Sequence, residues 1–118
     1  MSQLSDFLQK LSQNPNRIHF QEVITFIDEN YDFTPTAFQN GNTFNDVNQN
    51  NGSCKVFSFA LLNQLTTAQT LALFGDYYFK DVLENPNGTD HQNIRNFMNY
   101  EWEGIEFKGV ALIGKHSL

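Results

Sequence analysis

The chain has 118 residues, 40% of them apolar and including twelve Phe, four Tyr and one Trp, a composition that argues for a packed core over intrinsic disorder. It suits one domain burying about two thirds of its extended surface. Seven basic against thirteen acidic side chains give a formal charge of −6, which argues against nucleic acid or an anionic membrane as partner.

Ser2 or Ser5 can cap a first helix that carries Leu4, Phe7, Leu8 and Leu11 along one face, and Asn14-Pro15-Asn16 stops it. A second helix is predicted over His19 to Asn30 with Phe20, Val23, Ile24 and Ile27 as its apolar stripe. Tyr31 to Phe38 reads as extended, because Pro35 keeps its predecessor out of the α region and aromatic residues and Thr favour a pleated surface. Asn40-Gly41 suits a tight hairpin onto Thr43-Phe44, and 45–51 is a polar loop.

The segment NNGSCKVFSFALL, Asn50 to Leu62, joins the most turn-rich stretch to one of the most apolar. It predicts a turn, Ser53 as helix cap, and a buried helix to about Gln64. A buried strand over its first half fits the same apolar run. Thr66 and Gln69 have the spacing of a capping box. A further helix is expected over 76–84, and 85–88 (NPNG) marks a stop. Asp90 to Tyr100 reads as a last helix, capped by Thr89 or Asp90. Trp102 to Ile113 reads as two short strands joined at Lys108-Gly109.

Fifteen Asn and nine Gln are present, and six of the Asn lie between Asn40 and Asn51, a density that implies amide-to-backbone bonds and turns. The single cysteine excludes an internal disulfide and any cysteine-rich zinc site, and fits a reducing cytoplasm. The opening MSQLSDFLQKL lacks the basic and apolar regions of a Sec-type signal, and no stretch approaches the ~20 apolar residues of a spanning helix.

Candidate chemistry is sparse. Cys54 near a helix start could be an activated nucleophile with one of His19, His91 or His116, or else a small buried side chain, which the residues favour. Asp90-His91 resembles a base with its orienting carboxylate, but neighbours on a helix point apart. The 46–52 stretch fails the EF-hand pattern, which needs Gly at position 51 and Glu at position 57. Glu101, Glu103 and Glu106 around Trp102 read as solvated charges. No cofactor or metal site is expected.

The segments YDFTPTAFQNG (31–41), NQNNGSCKVFSFALL (48–62), ALFGDYY (72–78), GTDHQNIRNFM (88–98) and WEGIEF (102–107) together resemble the bacterial HopJ type III effector family. The resemblance implies one small α/β-containing domain with no assigned activity or cofactor. The expected location is the bacterial cytoplasm, and the family name alone implies delivery into host cells by a type III system. It also draws attention to the polar motifs 31–41, 48–55 and 88–95. If they converge, Tyr31, Asp32, Asn51, Ser53, Cys54, Asp90, His91, Asn93 and Arg95 would wall one cleft. The alternative is that these residues cap and turn the chain.

The expected fold is α+β: about five helices with a small, mainly antiparallel sheet from 33–44 and 104–113, in one domain. The expected function is a non-catalytic domain binding a protein or small-molecule partner. A small hydrolase or transferase using Cys54 or His91 is the alternative, and an acidic surface binding a divalent metal stands third.

Overall fold

The α1 helix (Gln3–Gln13) buries Phe7 and Leu11 one turn apart and ends where Pro15 opens a single 3₁₀ turn (Pro15–Arg17). The structure is a computed structural model describing residues 3–115, so the Ser2 cap and His116 lie outside the described residues. The α2 helix (Phe20–Asn30) starts as expected at His19, whose N–H donates to the Glu22 carboxylate at 2.9 Å. It buries Val23, Ile27 and Asn30.

Strand β1 (Tyr31–Phe33) follows at once and pairs antiparallel with β5 (Leu112–Gly114), Phe33 opposite Leu112. Strand β2 (Phe38–Asn40) lies between β3 (Thr43–Asn45) and β4 (Ile105–Phe107), Phe38 opposite Phe107. The two pairings share one register. Between them Thr34 N–H donates to Ala111 O at 2.8 Å and Lys108 N–H to Ala37 O at 3.0 Å. The two small sheets are therefore one antiparallel ladder, interrupted where Pro35 has no N–H to give.

This corrects the C-terminal expectation: β4 and β5 do not form a hairpin about Lys108-Gly109 but continue each other along the same partner segment. The 40–45 hairpin does form, but its two loop residues are Gly41 and Asn42, one position later than the expected Asn40-Gly41, because Asn40 pairs with Thr43 inside the strand. Gly41 has φ 62°, and a Cβ there would fall 2.2 Å from the Tyr100 ring, so the position needs glycine on both counts.

The central segment is a helix and not a strand: α3 (Asn51–Leu62) buries Cys54 and every residue from Val56 to Ala60. Its cap is Asn50 in the left-handed region (φ 55°), and Ser53 sits in the first turn, a correction to the expected cap. The Thr66–Gln69 capping box opens α4 (Thr67–Ala72) as read from its spacing.

The segment Tyr77–Val82, expected to be an ordinary helix, is π-helical, with Leu83 N–H donating to Tyr78 O at 3.0 Å. The α5 helix (Gln92–Tyr100) starts two residues later than expected, and its cap is His91 in the left-handed region (φ 51°) rather than Thr89 or Asp90. A 3₁₀ turn (Glu101–Gly104) then feeds β4, keeping Glu101 and Glu103 exposed, while Glu106 pairs with Lys108.

Phe57 is the hub of the core, with ring centroids 5.0 Å from Phe97, 5.4 Å from Phe74 and 6.0 Å from Phe38. A second aromatic group joins Phe7, Phe26 and Tyr31 around Phe59. The architecture is α+β: six helices and two small antiparallel sheets around one core among the described residues. No helix of the described residues is long and apolar enough to cross a membrane.

Candidate functional site

Four buried asparagines, far apart in sequence, build the floor of the site. Asn45 and Asn93 exchange amide hydrogen bonds at 3.1 and 2.9 Å. Asn40 Nδ2 donates to both the carbonyl and the side-chain oxygen of Asn93, each at 2.9 Å. Asn96 Nδ2 donates to Asn40 O at 3.1 Å and to Thr43 Oγ1 at 2.8 Å. Asn50 Nδ2 closes the set by donating to Asn45 Oδ1 at 2.7 Å. These bonds tie the β2–β3 hairpin to the starts of α3 and α5. Buried amides are tolerated because they satisfy each other, although Asn40 Oδ1 has no partner.

Above that floor a cleft of about 370 Å³ opens between the starts of α3 and α5. Phe20, Phe74 and Tyr77 line it with aromatic surface; Asn45, Asn50, Ser53, Gln92 and Asn93 line it with amides and a hydroxyl; and His91 borders it. No Lys, Arg, Asp or Glu is in the lining. The Ser53 hydroxyl has no hydrogen-bond partner among the described residues.

The π-helical segment sets His91 in place. Tyr77 and Asp81, four residues apart on it, both reach the imidazole: the Tyr77 ring lies 5.0 Å from it and Asp81 Oδ2 lies 3.0 Å from Nε2. An ionised carboxylate only accepts, so Nε2 carries the proton and Nδ1 is the acceptor in the neutral ring. Asp90 Oδ2 lies further from Nε2, at 3.8 Å. The dipeptide pairing weighed from the sequence is thus secondary, and the nearer carboxylate comes from ten residues upstream.

Of the residues named from the sequence, Ser53, His91 and Asn93 meet in this cleft. Tyr31 and Asp32 belong to β1 and do not line it; Tyr31 is buried against Phe59. Asn51, the first residue of α3, is also absent from the lining. Arg95 turns the other way and clamps the 85–90 loop. Its Nε and Nη2 donate to the carbonyl and carboxylate of Asp90, each at 2.6 Å, and its Nη1 to Asn85 O at 2.9 Å. A Cβ at Gly88 would stand 2.6 Å from Arg95 Nη2, so the clamp needs glycine there.

The Arg95 hydrogen bond, with the charge behind it, holds the Asp90 carboxyl below its ordinary range. A depressed carboxylate stabilises the fold at pH above its unfolded value, ~3.9, and loses that contribution as pH falls through the folded value. The urea midpoint of wild type should therefore drop more steeply below about pH 4 than that of Asp90→Asn. Parallel curves for the two proteins would remove the linkage.

Cys54 is fully buried, its thiol donating to Thr36 O at 3.4 Å, and burial pushes its pKa up. Its acceptor lies in the stretch between β1 and β2, next to Pro35. A nucleophilic thiol needs exposure and a lowered pKa, and this one has neither. Iodoacetamide at neutral pH should leave the native protein unmodified while alkylating it fully in urea; rapid native labelling would contradict the placement.

Sequence reasoning passed over Asn40, Asn45, Asn50, Asn96, Tyr77 and Asp81. The crowding of asparagine between 40 and 51 was the visible signal for the first three. Nothing local marks Asp81 as a partner of His91.

Fold and cleft together define a small α+β domain with a ligand-sized hollow beside its core that no Lys, Arg, Asp or Glu lines. The family model described as HopJ type III effector protein matches residues 4–112, and the chain belongs to that family. It is similar to the crystal structure of unknown function protein VPA0580, with 54% identity over 97% of this chain and 95% of that one and a TM-score of 0.94. No curated protein matches.

Proposed function

We propose that the protein is a binding domain whose cleft between α3 and α5 takes a small, uncharged polar ligand with a flat ring. One observation carries the reading: in a chain of formal charge −6, the cleft combines aromatic rings with amides in its lining and has no Lys, Arg, Asp or Glu there. Aromatic faces favour stacking on a ring, and convergent amides and hydroxyls orient polar substituents. A charged ligand would find no opposite side-chain charge there to offset its desolvation. The buried amide floor supports the same reading, since it holds Asn45 and Asn93 rigidly before any ligand arrives.

The test is thermal unfolding against a panel of neutral monosaccharides, nucleosides and ring amides. A member present at ten times its Kd should add about 1.4 kcal/mol, roughly 5 °C in Tm for a domain of this size. Ser53→Phe, which fills the cleft from an already helical position, should melt close to wild type and show no shift with that ligand. An effect unchanged in Ser53→Phe, or no response to any member, overturns the reading. The family's description supports delivery through a type III secretion system, which comparing export from intact and apparatus-deficient strains would test.

A further inference from the structure

We propose that His91, oriented by Asp81, is a general base that activates water to hydrolyse a neutral acyl ester bound in the cleft. The proposal rests on the binding reading above and adds a reaction to it.

Three features point the same way. His91 borders the cleft with its Nε2 fixed 3.0 Å from Asp81 Oδ2, while Nδ1 has no partner among the described residues. A hydrogen bond serving only to fasten the π-helical segment to α5 would not require an imidazole beside a ligand-sized hollow. The second feature is strain. His91 holds φ 51° and ψ 50°, an unfavourable region for a residue with a Cβ, and the two residues that hold its ring come from an i→i+5 helical segment. Both kinds of irregularity concentrate at functional sites. Third, Ser53, which lines the same cleft, has a hydroxyl with no partner among the described residues, able to hydrogen-bond an ester oxygen or the attacking water. The groups facing the imidazole are Asp81 and Tyr77 from the π-helical segment and Asp90 from the preceding loop.

The step balances without a co-reactant. Nδ1 takes a proton from water as its oxygen bonds to the acyl carbon, and the resulting imidazolium is stabilised by Asp81. The tetrahedral intermediate then expels the alcohol oxygen, which receives that proton from His91, leaving a carboxylic acid and an alcohol. A phosphodiester is the poorer substrate, because no Lys or Arg in the cleft would neutralise it.

The experiment uses the full chain with 4-nitrophenyl acetate and 4-nitrophenyl butyrate. Wild type should show saturable hydrolysis, and His91→Asn should lose about 10²-fold or more in kcat. Asp81 is a positioning residue, so Asp81→Asn should lower kcat by roughly tenfold with KM unchanged, and Asp81→Glu should restore part of it. Melting curves establish that each variant folds. Hydrolysis by wild type no faster than by free imidazole at equal concentration, or a full rate in folded His91→Asn, overturns the proposal. If the neutral-ligand panel binds wild type while the esters are not turned over, the hydrolysis falls alone. If neither occurs, both readings fall.

Discussion

Phe57→Ala should lower the unfolding free energy by about 3–5 kcal/mol, the largest effect expected of any single substitution here. Phe57 is fully buried in the middle of α3, and its ring meets rings from β2, from the turn after α4 and from α5. Truncation loses the transfer energy of the ring and leaves a cavity between elements that are themselves anchored, so collapse is limited. A domain of this size typically holds about 5–15 kcal/mol in total, and the variant should sit near the edge of folding. Urea titration would show a midpoint shifted far down at similar slope. A loss below about 1.5 kcal/mol would mean that the neighbouring rings close over the gap, and that Phe57 is not the hub its contacts suggest. Phe57→Leu should cost less, because it restores most of the volume.

Asn93→Leu should cost about 2–4 kcal/mol despite being nearly isosteric and more apolar. The substitution removes one acceptor and one donor from a buried set. Asn45 loses the acceptor for its Nδ2 and one of the two donors to its Oδ1, while Asn40 keeps only the Asn93 backbone carbonyl. The cost is the desolvation of groups left unpaired, not the net worth of the bonds broken. Asn93→Asp should also destabilise, since it would place an acceptor-only group where a donor is needed and a charge in a buried position. The second readout is the cleft. Asn93 lines it, so any ligand found by the thermal panel should lose most of its effect in a folded Asn93→Leu protein. Stability within 1 kcal/mol of wild type would show that the amide floor is dispensable. The cleft's preorganisation would then need another source.

The magnitudes rank these two regions differently from their functional weight. Phe57 decides whether the domain folds; Asn93 decides whether the folded domain keeps the shape of its hollow. The asparagines do two structural jobs. Asn48 and Asn50 take the left-handed backbone that turns the chain into α3, and Asn40, Asn45, Asn93 and Asn96 bond inside to one another or to neighbouring backbone. Of these, Asn45, Asn50 and Asn93 also line the cleft, so the proposed binding reading would draw on side chains that already hold the fold.

Much of the fold was legible because its causes act within a few residues. The stripe Phe7–Leu11, the Thr66–Gln69 box, the start at His19 and the Asn-Gly hairpin each depend on neighbours along the chain. The apolar breadth of 56–60 was enough to mark α3 as central. The starts of α3 and α5 were misread because both caps, Asn50 and His91, use a left-handed backbone without a side-chain bond to the helix, and Ser53 and Asp90 looked like better conventional caps. Asp90 was drawn off by Arg95, an interaction with a charged partner that outweighs a cap.

Residue order alone settled the acidic, single-core α+β character, most helix boundaries, and the extended path around Pro35, because periodicity, caps and the missing proline N–H are properties of short stretches. Residue order also put the 33–44 and 104–113 regions in one antiparallel sheet; tertiary structure alone decided that 105–114 runs beside 31–40 in a single register instead of folding back on itself, and that Cys54 is buried with its thiol on Thr36 O. It likewise decided that His91 meets Asp81 and Tyr77. Those pairings join residues 10 to 83 positions apart through backbone register and a π-helical turn, and a register is the outcome of packing the whole core.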